Sequence, residues 1–195
     1  RHQGILEPLI ATAGDPVRFP TADGAKLTGT VFGSGSNAVV LSNMGDNDPA
    51  DWERFAPVLS QQGYLVLTYQ FRYPARTTSF TAAMATDTLA DLAGAIAFVR
   101  DRGARDVVLI GDSLGGMATA SLAGSEGVRA AVVLSSPVAV PRVDYTVDRR
   151  ALAIAVLRSP RSISSRTHAE SSSPTIRLSL PNTFADPVVA AWICR

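Results

Sequence analysis

Ser113 stands in Gly111-Asp112-Ser113-Leu114-Gly115-Gly116, a Gly-x-Ser-x-Gly run. The apolar segment 106–110 precedes it, and a stretch rich in small residues at 114–124 follows it. Strand, motif and helix in that order predict a hydroxyl lifted clear of a sheet on a sharp turn. Such a turn strains the backbone at the serine, so neighbours without side-chain bulk are needed on both sides. The first N–H groups of the following helix have no intrahelical partner and can stabilise a developing oxyanion. A serine hydroxyl is a poor nucleophile at neutral pH. It needs a base within hydrogen-bond reach, and the base needs an orienting acceptor. Histidine suits the first role because its reference pKa of ~6.5 lies near working pH. An aspartate on the far ring nitrogen then fixes the tautomer and stabilises the imidazolium.

The elements that must position these groups are readable along the chain. Residues 17–32 predict a hairpin, with Ala22-Asp23-Gly24 between two alternating segments. Residues 38–42 read as a short buried strand that runs into Asn43-Met44-Gly45-Asp46-Asn47-Asp48, a series of turn formers. Asp48 then suits an N-cap, with Pro49 at the first helical position and Asp51 at the third. Trp52, Phe55, Val58 and Leu59 follow at helical spacing and predict one helix closed by Gly63. A strand at 64–69 comes next, then a loop with Arg72, Pro74 and Arg76. Leu89, Leu92, Ile96 and Val99 form one apolar stripe on a helix predicted over about 81–102. After the Ser113 motif, Gly115, Gly116, Ala118 and Ala120 allow the helix at 114–124 to pack close to the sheet, and 130–134 reads as a further strand. Strands alternating with helices predict an α/β fold, with a mostly parallel sheet, right-handed crossovers and helices on both faces. Beyond about residue 158 the composition changes. Residues 159–175 are crowded with Ser, Thr, Arg and Pro and read as loop, 174–180 alternates like a strand, and 187–193 is apolar again.

A length of 195 residues suits a single domain over 1–195 with a sizeable core. A net charge of +1 gives no basic excess for nucleic acid. No run approaches the ~18 uninterrupted apolar residues of a membrane span, so no integral membrane segment is expected. Cys194 is the one cysteine, which excludes an internal disulfide, and two histidines with one cysteine are too few for a closed metal site. No Gly-rich phosphate loop follows a strand in the dinucleotide pattern. No metal and no cofactor are therefore expected. The first residues lack a charged-then-apolar signal region, which makes cytoplasmic the default, with secretion after loss of an upstream segment as the alternative.

Over roughly residues 15–140 the sequence resembles the α/β-hydrolase family. The resemblance rests on the front hairpin, the strand and loop Val39-Val40-Leu41-Ser42-Asn43-Met44-Gly45, the Asp51-Trp52 helix, the strand at 64–69 and the Ser113 turn in order. It implies an oxyanion hole of two backbone N–H groups, one from Leu114 and one from Met44, where the family often has a His-Gly or similar pair. It also implies an acid and then a histidine downstream of the serine. Of His2 and His168, only His168 follows Ser113. Between them lie Glu126, which falls too early, and Asp144 and Asp148, of which Asp144 is the first choice. Asp186, followed by Pro187 and two valines, resembles the family's acid loop, but no histidine follows it. The tail after about 155 departs from the family pattern, as a truncated or frame-shifted C-terminus would. A serine at position 113 sets the chain apart from relatives that use aspartate (dehalogenases) or cysteine (dienelactone hydrolases).

These readings converge on a serine hydrolase for carboxylic esters of small or medium acyl chains, with Ser113, His168 and Asp144 as the triad. No large insertion follows residue 134, which leaves little room for a large lid and favours short soluble esters over long lipids. A thioesterase or peptidase on the same machinery, or an impaired or non-catalytic domain that binds a ligand, are the alternatives. Trp52 and Phe55 suit the core or an acyl pocket. Arg72 and Arg76 suit solvent or an anionic substrate. Asp112 suits solvent, a neighbouring loop or electrostatic tuning of the serine. The oligomeric state is open.

Overall fold

The structure is a computed structural model that describes residues 13–78 and 81–136, and the backbone of 156–157. β1 (Asp15–Pro20) and β2 (Lys26–Phe32) form the expected antiparallel hairpin. Gly24 takes a φ of +88° in its turn, which a residue without a side chain adopts at little cost. β3 (Asn37–Ser42), β4 (Leu65–Tyr69), β5 (Asp106–Asp112), β6 (Val128–Leu134) and β7 (Val156–Leu157) complete a sheet of order β1-β2-β4-β3-β5-β6-β7. β2 pairs antiparallel with β4, and every ladder from β4 to β7 is parallel. The β5–β6 ladder skips one residue. Val107 faces Val128, Val108 faces Ala130, and Arg129 is the extra residue.

Alternation along β3 assigns the two faces. Ala38 and Val40 join the larger core, under α3 (Ala82–Asp101) and α4 (Leu114–Leu122). Val39 and Leu41 join the second core, with Trp52, Ala56 and Leu59 from α1 (Ala50–Glu53) and α2 (Ala56–Gln61). Helices therefore cover both faces, as buried parallel strands require. In α3, Leu92, Ile96 and Val99 are buried, and Thr81 caps the helix by accepting from the Met84 N–H. By length and composition α3 could cross a membrane. Here its apolar stripe lies on the sheet, which is the behaviour of a core helix.

The single helix expected after Asp48 is two short ones. Pro57 lacks an N–H and cannot donate back across the turn at Glu53–Phe55, so the ladder breaks there. Phe55 becomes the half-buried N-cap of α2. The N-cap of α1 is Pro49, and Asp48 acts from one residue earlier, its carboxylate accepting from the Ala50 N–H at 3.1 Å. Gly63, with φ +86°, closes the segment as expected.

Arg72 is neither solvated nor free for an anionic ligand. Its guanidinium holds Asp23 of the hairpin turn at 2.7 Å and Asp91 of α3 at 2.8 Å, and its backbone N–H donates to Asp91 as well. Asp91 is fully buried. Burial pushes its carboxyl up and the Arg72 donors pull it back. A carboxylate on the core-facing side of a helix needs such a cation.

Candidate active site

Ser113 occupies the turn between β5 and α4 with φ 49° and ψ −109°. A non-glycine residue there is strained and persists only where its surroundings hold it. Three glycines provide that hold through close approach. A Cβ on Gly111 would lie 2.3 Å from the Gly115 carbonyl oxygen, one on Gly115 would lie 2.5 Å from that of Asn43, and one on Gly116 would lie 2.9 Å from the Ser136 Cβ. The Ser113 N–H donates to the Leu134 carbonyl at 2.9 Å, which ties the turn to the end of β6.

The loop after β3 meets this turn directly, because the Gly115 N–H donates to the Asn43 carbonyl at 3.0 Å. Two buried asparagines hold that loop. Asn43 donates to the Asn47 side chain at 3.2 Å and to the Tyr69 carbonyl at 2.9 Å. Asn47 donates to the carbonyls of Phe71 (3.1 Å) and Tyr73 (2.7 Å) and accepts from the Phe71 N–H at 2.8 Å. Its φ of 60° is one that asparagine tolerates better than most residues. The Tyr73 hydroxyl donates to Gly45. In the sequence these asparagines look only like turn formers. Among the described residues, the N–H groups of Met44 and Leu114 have no hydrogen-bond partner, and neither has the Ser113 hydroxyl.

A cavity of about 160 Å³ lies beside the turn, lined by Met44, Asp51, Trp52, Asp112 and Leu134. Trp52 thus serves the core and the cavity together. Asp112 is half-buried rather than solvated, and one of its carboxylate oxygens is buried without a partner among the described residues. Its carboxyl is pushed up by burial first, and by Asp51 and Asp46 next. Asp51 is pushed up too, by burial and by its acidic neighbours Asp46 and Asp48.

Of the residues expected in the site, Ser113, Leu114 and Met44 come to one end of the sheet. Glu126 lies elsewhere, exposed beyond the end of α4 and 3.7 Å from Arg100. His168, Asp144, Asp148 and Asp186 lie outside the described residues, as do His2 and Cys194. Among the described residues, no three His, Cys, Asp or Glu side chains are grouped to hold a metal ion.

The family model described as "Alpha/beta hydrolase family" matches residues 32–195, which is most of the chain and runs past residue 140, where the resemblance read from the sequence ends. The chain belongs to the α/β-hydrolase family. An esterase from Pyrococcus furiosus has a similar fold, with a TM-score of 0.57 at 20% identity, over 70% of this chain and 57% of that one. Epoxide hydrolase A from Mycobacterium thermoresistibile gives a TM-score of 0.52 at 25% identity, over 63% of this chain and 39% of that one. A putative aryl esterase from Burkholderia cenocepacia gives 0.51 at 21% identity, over 63% and 47%. This α/β-hydrolase chain therefore spans between about two fifths and three fifths of these structures' lengths. No curated protein matches the sequence.

Proposed function

We propose that the chain is a serine hydrolase that cleaves carboxylic esters of small or medium acyl chains through an acyl-enzyme on Ser113. The observation that carries this reading is the strained Ser113 backbone at the strand-to-helix turn, with the unpartnered N–H groups of Leu114 and Met44 on the two adjoining segments. In the proposed reaction the Ser113 oxygen attacks the ester carbonyl as a base takes its proton. The oxyanion accepts from Leu114 and Met44, each donor contributing about 3 kcal/mol to the transition state. The alkoxide leaves with the proton, and water repeats the sequence on the acyl-enzyme. His168 is proposed as the base and Asp144 as its orienting acid.

The esterase structures support ester chemistry by fold alone, and the hydroxyl at position 113 favours acyl transfer. The test is labelling with a fluorophosphonate probe and turnover of p-nitrophenyl butyrate. Labelling at Ser113 is expected, with a loss of about a millionfold in kcat for Ser113→Ala. Absence of labelling, or turnover unchanged in that variant, would defeat the Ser113 reading, and absence of both labelling and turnover would leave a non-catalytic binding domain. Full activity in His168→Ala would remove His168 from the mechanism.

A further inference from the structure

The turn that carries the Met44 N–H is pinned unevenly. Its upstream end is fixed by the bonds of Asn43 to Gly115, Tyr69 and Asn47. Its downstream end closes on itself, the Asn47 N–H donating to the Met44 carbonyl at 3.0 Å. Gly45 and Asp46 lie between. Gly45 has no steric hold, since its φ is not positive and a Cβ there would meet nothing within 4 Å. Glycine has the widest backbone freedom of any residue, and this one directly follows the proposed donor.

What holds Gly45 and Asp46 is a strap, residues 71–77, that follows β4. The Tyr73 hydroxyl donates to the Gly45 carbonyl at 3.1 Å. The Arg76 N–H donates to the Asp46 carbonyl, and the Thr77 N–H does so at 3.2 Å. Arg76 has a φ of 61°, a conformation that a non-glycine residue keeps only where its surroundings hold it. The strap is itself tied down by the bonds of Arg72 to Asp91 and Asp23. Tyr73 meets the turn twice, because its carbonyl accepts from Asn47 at 2.7 Å. Its half-buried ring stacks on Phe71 with centroids 5.6 Å apart, which aims the hydroxyl before any substrate arrives. Burial also pushes the Tyr73 hydroxyl further above its ordinary pKa, so it donates as a neutral group at working pH.

A peptide plane is placed by its two Cα ends. For the plane that carries the Met44 N–H, Asn43 sets one end and this turn sets the other. Loss of the Gly45 anchor frees the second end, and the N–H swings away from where an oxyanion develops. We infer that Tyr73 is a positioning residue for ester hydrolysis, its hydroxyl aiming the Met44 N–H through the Gly45 carbonyl. The inference rests on the serine-esterase reading with Met44 as a donor, and it adds a residue outside the proposed reacting groups.

The test removes the donor and keeps the ring. In Tyr73→Phe, kcat for p-nitrophenyl butyrate is expected to fall about tenfold with KM within about twofold, because a displaced oxyanion donor costs most in the transition state. The Ki of propyl trifluoromethyl ketone, whose tetrahedral adduct on Ser113 bears the same oxyanion, is expected to rise by about the same factor. A role in packing alone would lower the urea midpoint without moving kcat and Ki together. Para-aminophenylalanine in place of Tyr73 restores an N–H donor, and both constants are expected to return to within about threefold of the parent. Para-methylphenylalanine fills the space of the hydroxyl without donating, so it replaces Tyr73→Phe if that variant fails to fold. Unchanged kcat and Ki in the donor-free variants would overturn the inference. So would a rise in KM with kcat kept, or a para-amino variant no better than the donor-free ones. Where the parent hydrolyses butyrate and is labelled at Ser113, those results remove this inference alone. Where the parent does neither, the esterase reading falls and takes this one with it.

Discussion

The loop after β3 and the turn after β5 meet at the Asn43–Gly115 hydrogen bond, yet they are held by opposite means. The turn is held by proximity. Gly111, Gly115 and Gly116 let backbone approach backbone so closely that no Cβ fits at Gly111 or Gly115 without movement. The loop is held by polar side chains, with Asn43 and Asn47 reaching carbonyl groups at the end of β4 and just beyond it. Steric locking leaves no tolerance but needs no partners elsewhere. Polar locking tolerates a change of size but fails when one partner is lost. The proposed oxyanion donors come one from each.

The sharpest break is expected from Gly115→Ala, whose methyl would meet the Asn43 and Ser42 carbonyl oxygens at 2.5 and 2.6 Å. Because the obstacle is backbone on both sides, stability should fall by about 3 kcal/mol, read from urea unfolding. The kcat/KM for p-nitrophenyl butyrate should fall about 100-fold, as displaced donors would cause. A variant with unchanged activity would mean that the two segments need not meet so closely.

Asn47→Ala should cost about 3 kcal/mol too, because the Phe71 N–H and the Phe71 and Tyr73 carbonyls lose their partner in a buried setting. Its kinetic effect should be smaller, about tenfold in kcat/KM, since the loop keeps its Asn43 and Tyr73 bonds. An activity loss equal to that of Gly115→Ala would show that the polar lock is as unforgiving as the steric one.

Ser113→Gly should move the other way and stabilise the fold by about 1 kcal/mol. It removes the strain of φ 49° and adds some disorder to the unfolded chain. A lower urea midpoint would show that the turn is relaxed.

The smallest effect is pH-dependent. The Asp112 carboxyl is pushed up by burial and by Asp51 and Asp46, so the folded state holds its proton more tightly than the unfolded chain does. The associated stability is present below the ordinary carboxylate pKa and is lost as pH rises through the raised one. Asp112→Asn should therefore raise the urea midpoint near neutral pH, and the gain should vanish as pH falls to about 3. A gain independent of pH would mean that the charge at 112 is not what destabilises this corner.

The same contrast explains what the sequence could reveal. Steric locking is written locally. Gly111, Gly115 and Gly116 flank Ser113 in the chain, so the turn was readable from one short segment between a strand and a helix. Alternating strands and the α3 stripe were legible for the same reason, because each pattern is confined to its own element. Polar locking is written across distance. Asn47 looks like any turn residue until β4 brings the carbonyls of Phe71 and Tyr73 beside it, and Arg72 looks solvated until Asp23 and Asp91 arrive from two other elements. The division between α1 and α2 was legible in principle, since Pro57 sits inside the apolar spacing. Periodicity alone suggested one helix there. The half-burial of Asp112 was not legible, because burial of a side chain at the end of a strand depends on what covers that end of the sheet.

The extra residue in β6 gives the far end of the sheet a say in where the serine points. Arg129 is exposed and pairs with Asp106, at the opposite end of β5 from Ser113. Because of it, Leu134 is the residue whose carbonyl meets the Ser113 N–H. Deleting Arg129 leaves β6 two ways to pair. Either the connection around Gly127 stretches to preserve the upper register, or the strand slides by one place and turns Val133 out of the core. In the second case a different carbonyl meets the serine amide, and one codon lost at the bottom of the sheet is felt at the Ser113 turn on its opposite rim.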